Sequence, residues 1–156
     1  MNKDAVCWPL TIYYDRSCPL CAQEMHALIA HDTRGQLRLI DSSVVDFCDT
    51  DAVVAGVSAL QMSELIHARD DAGNWYRGVD VFVLAYQAAG LTLIARIWEF
   101  APLRPLMDRL YPWVARNRMR LSRFGMARAY GWLVSYAASR ANRRARTCQA
   151  ERCERP

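Results

Sequence analysis

The stretch LTIYYDRSCPLC, residues 10–21, decides the fold of this chain. Its first five residues, Leu10–Tyr14, are mostly apolar, β-branched or aromatic, which is typical of a buried strand. Residues 15–17 are Asp, Arg and Ser, which favour a turn. Pro19 then suits the first position of a helix, and apolar side chains recur after it at near-helical spacing. The stretch predicts a buried strand, a turn and a helix over residues 19–31.

Further elements continue this alternation. Periodicity and turn residues predict a strand at 37–41, a short helix at 51–57, strands at 62–68 and 74–77, and a helix at 79–89. The Asp-Asp-Ala-Gly sequence at 70–73 predicts a hairpin, and Asp80 is expected to cap the last helix. The predicted fold class is α/β, and the order βαβ-ββα is similar to that of a minimal thioredoxin-like domain, here residues 1–90.

The remaining residues differ in composition. Before Arg104 the chain has 7 basic and 13 acidic residues, whereas from Arg104 onward it has 13 arginines and 3 acidic residues. Helical patterns in this part cover 91–100, 103–110, 112–120 and 123–146. We therefore expect residues 91–146 to form an Arg-rich helical extension packed on the core. Residues 147–156 are expected to form a flexible tail that contains Cys148 and Cys153.

Length and composition exclude several classes of protein. A chain of 156 residues, 53% of them apolar, is large enough for one domain with its own core. It has no apolar run of about 18 residues, so we expect no transmembrane helix. The first residues lack the apolar stretch of a signal peptide. The sequence thus predicts a cytoplasmic protein whose six cysteines do not form a disulfide framework.

Cys18 and Cys21 carry the chemistry that the sequence indicates. The Cys-Pro-Leu-Cys dithiol opens the predicted helix, where unpaired backbone N–H groups and the helix dipole favour a thiolate, and Arg16 can add positive potential. We expect Cys18 to be the exposed nucleophile with the lower pKa, and Cys21, one turn later and more buried, to be the resolving thiol. The predicted reaction is exchange with a disulfide-containing protein or a small thiol. It needs no bound organic cofactor, and the sequence does not define the electron donor.

Two other interpretations of this pair stay open. Cys148 and Cys153 can supply two further ligands, which would complete a structural zinc site with the dithiol. The pair can also be inert, or act as a redox sensor in a module that docks a partner through its Arg-rich helices. We favour the oxidoreductase and predict no metal at the dithiol.

Three segments of the chain resemble the DCC family of thiol-disulfide oxidoreductases. Asp15, Cys18 and Cys21 meet the family's Asp-x-x-Cys-x-x-Cys pattern. NWYRGVD, residues 74–80, resembles its second, glycine-containing segment, and YPWVARNR, residues 111–118, resembles its C-terminal Tyr…Ala-Arg-Asn-Arg segment. The resemblance covers most of the chain to about residue 121. It implies a thioredoxin-like fold and thiol-disulfide oxidoreductase activity.

Two features depart from related sequences. Members of the DCC family usually have glycine after the aspartate, whereas this chain has Arg16, a bulky cation that can alter the turn or the access to Cys18. Thioredoxins place a cis-proline opposite the dithiol, but this chain has no proline between Pro19 and Pro102. Residues 58–62 would have to fill that position, so we expect a different substrate-docking loop.

Three charged residues near these segments have alternative roles. Asp15 can accept a proton from Cys21, or it can cap the turn before the helix. Arg116 and Arg118 can bind an anion or an acidic partner, although a solvated helix face is the favoured interpretation. The cationic segment also has a charge suited to nucleic acid or an anionic membrane surface. We favour neither partner, because no nucleic-acid motif is present and the charge is scattered over helices that carry core positions.

Overall fold

The computed structural model describes residues 6–123, which form a sheet with helices on both of its faces. The strands are β1 (Leu10–Tyr14), β2 (Leu37–Asp41), β3 (His67–Arg69) and β4 (Trp75–Arg77). The helices are α1 (Pro19–His31), α2 (Thr50–Val54), α3 (Ala59–Glu64), α4 (Val79–Ala88), α5 (Thr92–Glu99) and α6 (Arg104–Arg123). Over these residues, no helix combines the length and the apolar character that a membrane span requires.

The sheet has the strand order β2-β1-β3-β4. β1 pairs in parallel with β2, where Leu10 lies opposite Leu37, and antiparallel with β3, which pairs antiparallel with β4. A parallel pair needs a crossover connection, and α1 supplies it. The result is the predicted thioredoxin-like βαβ-ββα core, followed by a C-terminal helix.

Alternation along β1 builds a core on each face of the sheet. Ile12 and Tyr14 belong to a cluster with apolar residues of α1, α4 and α5. Tyr13 packs with Ala52 and Met62, from α2 and α3, on the other face. Because every residue of β1 is buried, the end of this strand is fixed from both sides, and so is the start of the turn that follows it.

The strand predicted at 62–68 is wrong over most of its length. Residues Ala59–Glu64 form α3, and the strand is limited to His67–Arg69. The reason is a reciprocal capping box: the Gln61 N–H donates to Ser58 Oγ, and the Ser58 N–H donates to Gln61 Oε1. Local capping thus starts a helix where the apolar pattern resembled a strand.

α6 also differs from the prediction. The two helices predicted at 103–110 and 112–120 are one continuous helix, Arg104–Arg123, with Pro112 inside it. Proline removes one backbone donor from the helix, and packing of α6 against α1, α3, α4 and α5 keeps the helix continuous. The rest of the predicted extension and the tail, residues 124–156, lie outside the described residues.

The start of α4 is formed by a glycine rather than by a capping side chain. Gly78 is the N-cap residue, and its φ of 63° is open to glycine. Asp80, expected to cap this helix, instead binds Arg104 of α6, with 2.9 Å between carboxylate oxygen and guanidinium nitrogen. An ion pair therefore connects α4 to α6.

A buried carboxylate organises the β3–β4 hairpin. Asp70 is 1% exposed, and it accepts hydrogen bonds from the N–H groups of Cys7 and Asn74, the Asn74 side chain and the Tyr76 hydroxyl. Although burial opposes the effect, these bonds hold the pKa of Asp70 below its ordinary value. Asp70, the first residue of the predicted turn, therefore fixes the geometry of the hairpin.

Candidate active site

The dithiol lies between the end of β1 and the start of α1. Cys18 is the N-cap residue of α1, and Pro19 is its first residue. The Cys21 N–H donates to the Cys18 Sγ at 3.5 Å, and the Cys21 thiol donates to the same sulfur at 3.0 Å. Both cysteines are free thiols. A small movement would therefore bring the two sulfurs to the separation of a disulfide bond.

These contacts make the two thiols chemically unequal. The hydrogen bond from the Cys21 thiol, with smaller effects from the Cys21 N–H and the charge of Arg118, lowers the pKa of Cys18 to about 6 against the effect of burial. The same hydrogen bond, together with burial, raises the pKa of Cys21. At neutral pH the pair thus holds a thiolate at Cys18 and a protonated thiol at Cys21.

The exposure of the two thiols is the reverse of the prediction. Cys18 is 0% exposed, whereas Cys21 is only partly buried and lines a cavity. The expectation of an exposed Cys18 is wrong because its sulfur caps the first turn of α1, where it accepts hydrogen bonds from the N–H and the thiol of Cys21. α6, which is remote in the sequence, packs against the same helix and binds Asp15 through Arg118. In this conformation the nucleophilic sulfur is shielded from solvent.

The described contacts of Asp15 are with Ser17 and Arg118. Its Oδ1 accepts the N–H and the hydroxyl of Ser17, at 2.9 and 2.5 Å, which closes the turn before α1. Its Oδ2 accepts a hydrogen bond from the Arg118 guanidinium at 2.5 Å. These contacts favour the turn-capping role of Asp15 over that of proton acceptor, and they hold α6 at the dithiol.

The other two predicted binding residues lie at the surface. Arg16 is exposed, and its N–H donates to Asp41 Oδ1 at 3.3 Å. The backbone φ of Arg16 is negative, because Asp46 is the one non-glycine residue with a positive φ in the described part of the chain. The turn therefore accepts arginine where DCC proteins usually have glycine. Arg116 is exposed on α6, so Arg118 is the member of this predicted set that reaches the dithiol.

Tyr111 connects the other two segments of the resemblance to the site. Its hydroxyl accepts the Ile66 N–H at 3.1 Å, directly before β3. Its ring lies 3.9 Å from the position that a Cβ on Gly78 would occupy. Ile66, directly before β3, and Met62, the last of residues 58–62, both line the cavity beside Cys21. The one cis peptide bond in the described part of the chain is Trp8–Pro9, which precedes β1.

A cavity of about 70 Å³ lies beside Cys21, with walls from β1, α1, α3, α4 and α6. Glu24 lines the same cavity, one turn after Cys21 on α1, and accepts a hydrogen bond from the Tyr86 hydroxyl at 3.0 Å. Glu24 was not among the predicted site residues. The signal that could have found it is its position three residues after Cys21, which places both side chains on one face of the helix.

Within residues 6–123, no three His, Cys, Asp or Glu side chains are grouped so that they could hold a metal ion. Cys7 and Cys48 are exposed free thiols. Cys148 and Cys153, the further zinc ligands of the alternative interpretation, lie outside the described residues.

Sequence comparisons relate the chain to a known family and to a plant protein. The sequence profile of the DCC1-like thiol-disulfide oxidoreductase family matches residues 12–124. The chain is 29% identical over 116 residues to a protein of Arabidopsis thaliana named as uncharacterized and chloroplastic, and the match covers 74% of this chain and 53% of that protein. The chain thus spans about half the length of this curated relative. No solved structure matches the chain. Because the family profile matches most of its length, the chain belongs to the DCC1-like thiol-disulfide oxidoreductase family.

Proposed function

We propose that this protein exchanges its Cys18–Cys21 dithiol with the disulfide of a protein or a small molecule. The family name supports this class of reaction. The observation that carries the proposal is the unequal thiol pair at the start of α1. One sulfur accepts two hydrogen bonds and has a pKa of about 6, while the other remains protonated. Such a pair is suited first to attack a disulfide and then to resolve the product.

The reaction consists of two exchanges. The Cys18 thiolate attacks one sulfur of the substrate disulfide, a Cys18–substrate disulfide forms, and the other substrate sulfur leaves as a thiolate. Cys21 then loses its proton and attacks the Cys18 sulfur, which releases the second substrate thiolate. The substrate gains two electrons, and Cys18 and Cys21 become a disulfide. A thiol donor outside this chain returns the two electrons, so we propose a reducing compartment such as the cytoplasm.

The second exchange requires an acceptor for the Cys21 proton, and we propose Glu24 for this role. Its carboxylate and the Cys21 thiol line the same cavity, and one turn of α1 separates the two residues. The proton can pass directly or through one water molecule. The Tyr86 hydroxyl donates to one oxygen of Glu24 and thereby orients the carboxylate.

Trapping of the mixed disulfide tests the proposal. The reduced Cys21→Ser variant, incubated with oxidised glutathione at pH 7, should retain a glutathione disulfide on Cys18, detected by intact mass and peptide mapping. The Cys18→Ser variant should form far less adduct on Cys21, because burial still raises the pKa of that thiol after the hydrogen bond to Cys18 is lost. Cys48→Ser, which removes an exposed thiol, is the matched control and should behave like the parent protein. Adducts on Cys21 in preference to Cys18 would contradict the proposed order of attack.

A further inference from the structure

The shielding of Cys18 conflicts with its proposed chemistry. A thiolate attacks a disulfide by forming a new sulfur–sulfur bond of about 2.05 Å, so the substrate must reach Cys18 Sγ directly. Cys18 is 0% exposed, and no substrate disulfide can approach its sulfur in this conformation. Some part of the structure must therefore move before the first exchange.

α6 reaches residues on both sides of Cys18, because Arg118 binds Asp15 and the helix lines the cavity beside Cys21. It packs against α1, which begins at the dithiol, and against α3. On the face that contacts the site, Ala115 is 7% exposed, and Tyr111, Val114, Ala115 and Arg118 form the α6 wall of the cavity beside Cys21. The rest of the site comes from the sheet and the helices packed on it. A shift of α6 would therefore open the site while leaving the βαβ unit intact.

Besides the Asp80–Arg104 ion pair at the start of α6, two polar contacts hold this helix at the site. Near the middle of the helix, the Tyr111 hydroxyl accepts the Ile66 N–H at 3.1 Å. Two turns later, Arg118 binds Asp15 at 2.5 Å, and the two side chains are 16% and 13% exposed. Both contacts join α6 to residues that flank the dithiol, one before α1 and one before β3.

Arg118 has a second effect at the same place. Its positive charge is among the causes that lower the pKa of Cys18, after the hydrogen bond from Cys21. The residue that closes the site is thus also one that stabilises the thiolate. When α6 moves away, the sulfur becomes accessible and loses part of this stabilisation.

We propose that α6 is a movable cover over the dithiol, held at the site by the Asp15–Arg118 and Ile66–Tyr111 contacts, and that Cys18 is shielded while the cover is closed. Arg118 is then a positioning residue rather than a group that touches the reacting disulfide. This inference rests on the proposed thiol–disulfide exchange. It gives the C-terminal segment two functions: it stores Cys18 as a shielded thiolate, and its opening admits the substrate.

The test is the rate of Cys18 alkylation by iodoacetamide in the full-length reduced protein, measured across pH by peptide mass spectrometry. The rate at the high-pH plateau reports access to the thiolate, and the midpoint reports its pKa. Tyr111→Phe keeps the ring and removes one hydrogen bond, so the plateau rate should rise by about two- to tenfold while the midpoint stays in place. Asp15→Asn keeps an acceptor for Ser17 and removes the ion pair, and it should raise the plateau as well. Arg118→Gln should raise both the plateau and the midpoint.

Arg116→Gln is the matched control, because Arg116 is an exposed arginine on the same helix. It should leave the plateau and the midpoint as in the parent protein. The proposal that α6 covers the dithiol is contradicted if both Tyr111→Phe and Asp15→Asn have the circular dichroism spectrum of the folded parent and their plateau rates equal that of Arg116→Gln. If Tyr111→Phe fails to fold, the plateau rate of Asp15→Asn alone decides whether α6 covers the dithiol. If the alkylation rate of Cys18 in the parent protein has no midpoint below the ordinary thiol pKa, the proposed exchange is contradicted instead. The failure of the cover and the failure of the exchange can therefore be told apart.

Discussion

Asp15 and Glu24 both line the cavity beside Cys21, but their contacts separate their roles. Asp15 is held by the Ser17 hydroxyl and N–H and by the Arg118 guanidinium. Both oxygens of Asp15 therefore accept hydrogen bonds that hold the turn and α6. Glu24 follows Cys21 by one turn of α1, and its carboxylate accepts a hydrogen bond from the Tyr86 hydroxyl. We therefore expect the Cys21 proton to go to Glu24.

A rapid-mixing experiment with two carboxylate variants tests this choice. In Glu24→Gln, the mixed disulfide on Cys18 should form at the parent rate, because the first exchange uses no proton acceptor. Its decay should slow by about 100-fold or more, the effect expected when a general base is removed. The species are measured by mass spectrometry after acid quenching. Glu64→Gln, which changes an exposed glutamate, is the control, and its decay rate should match the parent. Equal slowing in both variants, or parent-like decay in Glu24→Gln, would contradict the assignment.

Part of the site could be predicted at the residue scale. Asp15, Cys18, Pro19 and Cys21 belong to one short strand–turn–helix unit, so their spacing alone indicated the N-cap thiol and the turn aspartate. Local spacing contains no information about α6, which is remote along the chain, packs against α1 and binds Asp15 through Arg118. The hydrogen bond of Glu24 likewise requires Tyr86, 62 residues away.

At the scale of secondary structure, Asp70 makes the β3–β4 hairpin sensitive to substitution. Asp70→Asn replaces one acceptor oxygen by a donor, so the four hydrogen bonds to this side chain cannot all be kept. We expect the free energy of unfolding at pH 7 to fall by roughly 1–3 kcal/mol. Urea unfolding measures the change. Asp71→Asn is the control, because Asp71 is the exposed neighbour in the same turn, and it should leave stability unchanged.

The pH dependence of this effect has a defined sign. The pKa of Asp70 is lower in the folded protein than the value of about 3.9 in an unfolded chain. Its stabilisation is therefore fully present above about pH 4 and is lost as the pH falls through the folded pKa. The difference in stability between parent and Asp70→Asn should shrink at pH values below about 4. A difference that stays constant to pH 3 would contradict the assigned hydrogen bonds.

The elements that could be predicted from sequence are those with a strong periodic pattern. β1, α1, β2 and α4 match their predicted positions to within a residue. The strand predicted at 62–68 was wrong because Ser58 and Gln61 cap a helix there, and a short apolar run does not separate the two structures. The continuous α6 was missed because Pro112 predicted a break, whereas packing on four other helices keeps the helix intact.

At the scale of the whole molecule, the protonation of the dithiol is linked to the stability of the folded chain. The pKa of Cys18 falls from its ordinary value of 9.0 to about 6 on folding, so the folded protein binds fewer protons than the unfolded chain between these pH values. The free energy of unfolding therefore rises with pH across this window, and the contribution is lost as the pH falls to about 6. Cys21 has the opposite effect above about pH 9, because its raised pKa makes the folded state retain a proton that the unfolded chain releases.

Unfolding of the reduced protein measures this linkage. Between pH 6 and about pH 8.5, the parent should gain on the order of 2–4 kcal/mol relative to Cys18→Ser. Both proteins are kept with a phosphine reductant, and urea unfolding is followed by tryptophan fluorescence. Other groups that titrate in this range, such as His67, whose pKa burial lowers, are present in both proteins and cancel. The same pH slope in both proteins would contradict a stabilised Cys18 thiolate.

Contacts at this scale could not be predicted from the sequence. Arg118 and Asp15 are 103 residues apart, and Tyr111 and Ile66 are 45 residues apart. The arginine-rich composition indicated a cationic segment but not which arginine faces inward. The folded arrangement selects Arg118 and leaves Arg116 exposed.

The most direct test of the central claim is the pH dependence of Cys18 alkylation in the reduced parent protein, with each cysteine-containing peptide quantified by mass spectrometry. An activated Cys18 thiolate predicts that its alkylation rate reaches half of the plateau near pH 6, while Cys21 stays unreactive at neutral pH. A midpoint for Cys18 at the ordinary thiol value of about 8.5 or above would contradict the claim that this dithiol is poised for exchange.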